Sequence, residues 1–517
     1  MVQKTDLVFH NIHAETIDRE VSPASVIGVR AGKIVHVGND SSFDFLVDAN
    51  TRVIDGEGLL LTPGLIDPHL HLLSWANYLS SVDCSREAVA SIEEIQAAIA
   101  KEARKVPPGT WIRAVGYDEF YLKEKRHLTR HDLDAAAPLH PVRLAHRSGH
   151  ILVLNSLGLR NTNIRIDTEE PPGSTIDREI PSGDPSGMLI DMDAWIRERI
   201  PDIPEEQISQ GLSQINHSLY SSGVTFVQDA SVTNDYSIWR DFIGYREEGI
   251  LKVSGSMMIN GDKTQEFLQN NLGFGERYGE WHIGAAKIIV SDVGGKMHPT
   301  LEDLEELVQK IDDKGFQIAI HAVTRTEIEH ALEAFGSLSN EPSSRVKRRH
   351  RIEHASICPP DLLEKLRELD LGVVTQPGFI FFNGDRYLNT VEKASQNWLY
   401  RATTFYKEGI TVASSSDAPV IPENPQFGLY AAVTRKSMNG HHVGESRGLQ
   451  FHEALALFTK NAAYLTFQDH QRGTLLPNKR ADLVLWNKGL SALQDPDEIR
   501  QLEPLMTIAN GDFVFES

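Results

Sequence analysis

The chain has 517 residues, of which 40% are hydrophobic and 24% are charged, as expected for a folded globular protein larger than one minimal domain. Its 51 Lys and Arg residues and 72 Asp and Glu residues give a formal net charge of −21, which argues against nucleic acid or an anionic membrane as a partner. No apolar run is long enough to span a membrane, and the first residues do not resemble a signal peptide. With only two cysteines, we expect a reduced, cytoplasmic protein.

Both ends of the chain are predicted to form one small β-sandwich, from residues 1–62 and 470–517. Short strand patterns separated by turn residues indicate this unit. They lie at Asp6–His10, Val26–Arg30, Lys33–Val37, Arg52–Asp55, Ala481–Trp486 and Asp512–Glu516.

Between the two ends, compact apolar strand patterns alternate with helical periodicity, which predicts βα units around a parallel sheet. Eight strands are predicted, at Leu65–Leu72, Val224–Ala230, Lys252–Ile259, Ala285–Val290, Gln317–Ala322, Arg351–Ala355, Gly372–Gln376 and Thr411–Ser416. They predict an α/β fold, a TIM (β/α)8 barrel, over residues 63–84 and 206–469. The gap after the first strand is far longer than a βα connection requires, so residues 85–205 are expected to form an inserted subdomain.

The strongest chemical signal is the sequence PGLIDPHLH at residues 63–71, in the first barrel strand. Alternate side chains of a strand share a face, so His69 and His71 are both predicted to point into the barrel. Imidazole nitrogens are good zinc ligands, and a catalytic zinc site keeps one position open for water. Two inward histidines could also be ordinary core residues, so the metal-site interpretation depends on whether other strands supply further ligands.

Four further polar residues lie in or at the end of other predicted strands, namely Lys287, His321, His354 and Asp417. The carboxyl ends of all barrel strands face one rim, where the active sites of such barrels form. Lys287 stands in an apolar strand, where a lysine is costly to bury unless it is paired or chemically altered. An ion pair with a barrel carboxylate is the alternative explanation for this lysine.

With these residues, the chain resembles the amidohydrolase superfamily, and within it the YtcJ-like amidohydrolases, which include N-substituted formamide deformylase. The resemblance covers nearly the whole chain. Besides PGLIDPHLH, it rests on the segments 112–119, 149–156, 223–230, 351–354, 416–419 and 473–484. The chain departs from many relatives after Lys287, where Ser291–Gly295 replaces a DG pair.

The resemblance implies two divalent metal ions, with zinc expected first, held by His69, His71, Lys287, His321, His354 and Asp417. The first two histidines would bind the more buried ion and the last two the second. Lys287, carboxylated by CO2, would bridge them, because burial favours the neutral amine that carbamate formation needs. Asp417 would also be the catalytic base, so that a metal-bridging hydroxide hydrolyses an amide-type C–N bond.

Substrate contacts are less strongly indicated. By resemblance, Tyr117, Asp118 and His150 belong to a pocket wall formed by the inserted subdomain, and Gln376 closes the seventh barrel strand, where it is predicted to face a small-molecule substrate of amide type. The resemblance also allows a homodimer.

Two other functions remain open. A deaminase of the same superfamily typically has an HxxE pattern, but His321 is followed by Ala322, Val323 and Thr324, which disfavours it. A catalytically inactive scaffold would be expected to lack ligands, whereas all six predicted ligand positions are filled.

Overall fold

The computed structural model describes residues 4–18, 24–338 and 348–517. They form two compact units. The first comprises the described residues up to His71 together with Ser213–Val290 and those from Pro299 onward, and the second comprises Leu72–Leu212 and Ser291–His298. The second unit thus begins before residue 85 and takes in a short segment that follows the fourth predicted barrel strand.

Eight parallel strands form a nearly closed barrel in the first unit. In chain order they are β1 (Leu65–Leu70), β2 (Val224–Asp229), β3 (Ser254–Asn260), β4 (Trp281–Ile289), β5 (Ile318–Ala322), β6 (Arg351–His354), β7 (Gly372–Thr375) and β8 (Val412–Ser414). Each strand pairs in parallel with the next. Beyond β1 and β8, the backbone N–H of Asp417 donates to the His69 carbonyl at 2.9 Å, and that of His71 donates to the Ala418 carbonyl at 2.9 Å. The predicted TIM barrel is confirmed.

The helices of the first unit form where apolar residues repeat at helical spacing. In Leu301–Asp313, for example, the Thr300 side chain caps the first turn, and Leu304, Val308 and Ile311 are buried on one face. The other helices outside the sandwich that lie wholly in this unit are Tyr236–Glu247, Thr264–Gln269, Arg325–Ser337, Pro360–Glu368, Pro377–Thr390, Lys393–Gln396, Ala402–Lys407, Pro425–Thr434, Phe451–Leu457 and Lys460–Leu465.

The two ends of the chain pair into one β-sandwich, as predicted. One sheet has the strand order Lys33–Gly38, Val26–Arg30, Leu7–His10 and Arg52–Asp55, and the other has the order His13–Ala14, Leu60–Pro63, Leu483–Trp486, Pro504–Ala509 and Asp512–Glu516. The antiparallel register places Leu61 opposite Leu485. Both sheets contribute to one apolar core that includes Phe9, Ile27 and Leu483. The strand Pro504–Ala509 was not predicted.

The second unit is built on a six-stranded sheet in the order Thr175–Arg178, Pro185–Ile190, Ile151–Leu154, Val142–His146, Ile112–Tyr117 and Val82–Asp83. Its helices are Leu72–Leu79, Ile92–Ala103, Arg130–Ala136, Ser156–Asn161 and Asp193–Arg197, and Ser291–Val293 pairs with Lys296–His298. The helix Glu205–Ser221 begins in this unit and ends in the first. In the described part of the chain, every helix is too short or too polar to cross a bilayer.

We expect Leu483→Ala to lower the free energy of unfolding by ~2–5 kcal/mol, because the side chain is fully buried where the two ends of the chain meet. Denaturant unfolding measures the loss. Val53→Ala is the control, since Val53 is 40% exposed on a strand of the same sandwich, and it should change stability by no more than about 0.5 kcal/mol. Equal losses in the two variants would contradict the shared core.

Candidate metal centre

Two histidines and one carboxylate meet at the carboxyl end of the barrel. The Oδ1 atom of Asp417 lies 3.0 Å from Nε2 of His71 and 3.4 Å from Nε2 of His69. One potential ligand atom from each of the three residues lies within 4.8 Å of the other two. His69 and Asp417 are buried, whereas the His71 side chain is 24% exposed. The three donors therefore form a compact group that a metal ion fits.

The other two predicted histidines lie beside this group. The ring of His354 is 4.8 Å from that of His69 and 4.4 Å from that of His321, measured between centroids. Strands β5 and β6 are neighbours in the sheet, with Ala322 opposite His354. The four histidines from β1, β5 and β6 thus form one continuous cluster.

Lys287, on β4, is the last of the six predicted metal ligands. Its side chain is buried, and its Nζ atom has no hydrogen-bond partner among the described residues. Burial lowers the pKa of Lys287 to about 8, although the negative charges of Glu353 and Asp417 act in the opposite direction. The lysine charge in turn helps to lower the pKa values of His69 and His354. The amine therefore belongs to the same electrostatic cluster as the histidines and Asp417.

Electrostatics favour the protonation states that metal ligands need. Burial lowers the pKa of His69 well below its usual value and also lowers that of His354, so both imidazoles are neutral near pH 7. Burial alone would raise the pKa of Asp417, but the hydrogen bond from His71 and the interactions with His69 and His354 outweigh it and lower the pKa. Asp417 is therefore ionised and able to accept a proton or a cation.

Two of these residues have an unusual backbone. His354 has φ 70° and Asp417 has φ 60°, in the left-handed region that few non-glycine residues adopt. In a regular strand His354 would point away from the face shared by Arg351 and Glu353. The left-handed turn at the end of β6 lets both Glu353 and His354 contact His69. Such local strain is typical of functional sites.

A buried chain of charged groups lies behind His69. Its Nδ1 atom donates a hydrogen bond to Oε2 of Glu353, whose Oε1 atom accepts from Nε of Arg351 at 2.6 Å. Arg351 also donates to Oε1 of Gln228 and, at 3.3 Å, to the Pro68 carbonyl. Because Nδ1 of His69 carries the proton, Nε2 is left with a lone pair for a metal ion.

The Nδ1 atoms of His354 and His71 have neutral partners instead. Nδ1 of His354 donates to Oε1 of Gln376 at 2.9 Å, and the Gln376 amide donates to Oγ of Ser415 at 2.9 Å. Nδ1 of His71 lies 3.1 Å from Oγ of Ser231. Gln376 was expected to face substrate, but its side chain is fully buried behind His354. These contacts favour a positioning role for Gln376.

Sequence reasoning missed Glu353, although one signal was present. Arg351 and Glu353 stand two residues apart in a barrel strand, so alternation places both charges on one face. Two buried charges on the inner face of a barrel require partners. That pattern could have indicated a polar network beside the histidines.

The three predicted substrate contacts in the inserted region all lie in the second unit. The Tyr117 hydroxyl is 3.1 Å from Nδ1 of His127, and Asp118 lies 3.4 Å from Nε of Arg147. His150 is exposed, with its Nδ1 atom 2.6 Å from Oδ1 of Asp191. Asp118 also belongs to a group of potential metal ligands with Glu119 and His146. A substrate-binding role for Tyr117, Asp118 and His150 stays a prediction.

Comparison with known proteins agrees with this geometry. The sequence profile of the amidohydrolase family matches residues 52–515. The chain belongs to the amidohydrolase family. It is 26% identical to N-substituted formamide deformylase of Arthrobacter pascens, over 100% of this chain and 99% of that protein. It is also 26% identical to the putative amidohydrolase YtcJ of Bacillus subtilis, over 90% of this chain and 91% of that protein.

Among solved structures, an uncharacterised metal-dependent hydrolase of Pyrococcus furiosus has a similar fold. The TM-score is 0.70 at 24% identity, and the match covers 93% of this chain and 98% of the other. This amidohydrolase therefore has the fold found in metal-dependent hydrolases.

We expect Arg351→Met to destabilise the metal-free protein by ~3–5 kcal/mol, because it leaves the Glu353 carboxylate buried without its cation. Denaturant unfolding measures the change. The double variant Arg351→Met/Glu353→Leu should be less destabilised than the single variant, since no unpaired charge remains.

The control for Arg351→Met is Arg325→Met, which breaks an exposed ion pair with Asp361 and should cost less than about 1 kcal/mol. If Arg351→Met were as stable as this control, the ion pair behind His69 would have no structural importance.

Proposed function

We propose that this amidohydrolase is a metal-dependent enzyme that hydrolyses a C–N bond of amide type in a small molecule. The observation that carries the proposal is the cluster of four histidines, Lys287 and Asp417 at the carboxyl end of the barrel. Imidazole nitrogens, of which those of His69 and His354 have lowered pKa values, together with the Asp417 carboxylate and an orphaned buried amine, are a donor set suited to divalent metal ions.

The proposed metal ligands are His69, His71, Lys287, His321, His354 and Asp417. Zinc is the first metal to test, because imidazole nitrogen and carboxylate oxygen are its common ligands in hydrolases. When bound, such ions polarise a substrate carbonyl and make water a better nucleophile.

The chain itself supplies the proton transfer. Asp417 is held by His71 and His69, so its carboxylate is fixed where it can accept a proton from an attacking water. The same carboxyl group can then donate that proton to the leaving nitrogen, which completes hydrolysis of the C–N bond. Its fixed position beside two histidines supports this assignment as the general base.

Lys287 is proposed to react as a neutral amine with CO2, which forms an N–C bond, releases one N–H proton to solvent and gives a carbamate. The reaction needs the neutral amine, and burial lowers the pKa of Lys287 to about 8. Carboxylation also removes a cation without a hydrogen-bond partner from among the histidines and replaces it with an anionic oxygen ligand. The lowered pKa and the orphaned Nζ atom both support this step.

The substrate class is proposed from one relative. A full-length relative is named for deformylation of N-substituted formamides, so these compounds are the first to test, followed by N-acyl amines, ureas and lactams. A cytoplasmic location and a homodimer remain predictions.

We expect the purified protein to contain stoichiometric transition metal, measured by inductively coupled plasma mass spectrometry, and to hydrolyse at least one of these amide classes. His69→Ala should lose at least one metal ion per chain. It should also lower kcat/KM by roughly 100-fold or more, since even outer-shell partners of a metal cost 10–100-fold. His452→Ala, at an exposed position, is the control and should match the parent. A parent protein without bound metal would refute the proposal.

We expect a carbamate carbon resonance when the protein is reconstituted with 13C-labelled bicarbonate and zinc, and none from Lys287→Ala. That variant should also bind less metal, because one of the proposed ligands is missing. Lys310→Ala, at an exposed lysine on Leu301–Asp313, is the control. If Lys287→Ala kept the metal content and activity of the parent, the proposed carbamate would be refuted. A hydrolase that uses one metal ion would still be consistent with that result.

A further inference from the structure

Two histidines of the proposed centre are oriented by partners of different charge. Nδ1 of His69 donates to a carboxylate, that of Glu353, whereas Nδ1 of His354 donates to a neutral amide, that of Gln376. All four side chains are buried. The difference is therefore built into the core of the barrel and is not screened by solvent.

Glu353 is paired with a buried cation and held at a fixed position. Arg351, with a side chain that is completely buried, donates to Oε1 of Glu353 at 2.6 Å, while Oε2 accepts from His69. Arg351 is fixed in turn by Gln228 and by the carbonyls of Pro68 and Leu465. The carboxylate can thus neither rotate away from His69 nor reach water.

The charge of the partner affects how strongly the opposite ring nitrogen binds a metal ion. A carboxylate at Nδ1 makes the imidazole a more basic ligand through Nε2, and an amide does so much less. The spacing of the potential ligand atoms also favours tighter binding at the His69–His71–Asp417 position. The potential ligand atoms of His69, His71 and Asp417 all lie within 4.8 Å of one another.

We infer that Glu353, held by Arg351, is a positioning residue that makes the His69–His71–Asp417 position the tighter of two unequal metal positions. The neutral amide of Gln376 gives no such support to the His321–His354 position. That position therefore binds its metal ion more weakly and exchanges it first. This inference rests on the proposed metal centre and adds an order of metal affinity within it.

The experiment is a zinc titration of chelator-stripped protein against a competing fluorescent chelator, which resolves the tighter and weaker binding steps. Glu353→Gln keeps the side-chain shape and removes the charge. We expect the tighter step to weaken by roughly 10–100-fold, as for other outer-shell partners of metal ligands, and the weaker step to change much less, because Glu353 accepts a hydrogen bond from neither histidine of that position. Glu364→Gln makes the same substitution at an exposed position and should leave both steps as in the parent.

The reciprocal variant Gln376→Glu keeps the inference falsifiable if Glu353→Gln does not fold. It places a carboxylate at Nδ1 of His354 and should tighten the weaker step by about tenfold, a gain that a general loss of packing cannot produce. Cobalt absorption spectra of the parent and both variants report the same change at the metal itself.

The possible failures are distinguishable. Absence of zinc binding by the parent would overturn the proposed metal centre and this inference with it. Binding by the parent, together with an unchanged tighter step in Glu353→Gln or an unchanged weaker step in Gln376→Glu, would overturn the inference alone.

Discussion

The hydrogen-bonded ion pair of Arg351 and Glu353, extended to His69, is the constraint on which the rest of the site depends. All three side chains are buried, and buried charges are tolerated only when paired and fully hydrogen-bonded. Glu353 uses one oxygen for the arginine and the other for the histidine. Glu353 therefore neutralises the buried Arg351 and also fixes the tautomer of His69, a proposed metal ligand. A substitution at Glu353 would change the stability of the barrel and the proposed metal site together.

The closure of the barrel is tied to the same ligands. Backbone hydrogen bonds link Asp417 to His69 and His71 to Ala418, and the Ser416 hydroxyl and backbone donate to the buried carboxyl of Asp67. Burial raises the pKa of Asp67 to about 7 despite these donors. The left-handed backbone of Asp417 is thus held by contacts on both sides, which is how a fold can maintain a strained residue at a site.

Much of this arrangement follows from local sequence patterns. Apolar runs located all eight barrel strands, and the polar residues within or ending them proved to share one cluster, because parallel strands bring their carboxyl ends to one rim. Roles that depend on neighbours from other strands did not follow. Glu353 and His354 are adjacent in sequence and should face opposite ways, and only the left-handed turn at His354 brings them together. The buried position of Gln376 depends on the contacts of β6 and β7, which no local pattern specifies.

Lys287 is the residue that most favours the proposed metal site over a collection of ordinary core histidines. A core histidine is satisfied by its hydrogen bonds, and His69, His71 and His354 each have such a bond through Nδ1. Lys287 has none through Nζ among the described residues, although it is equally buried. An amine of this kind is costly to keep as a cation. The proposed carbamate would remove that cost, because it would replace the cation with an anionic oxygen ligand beside the histidines.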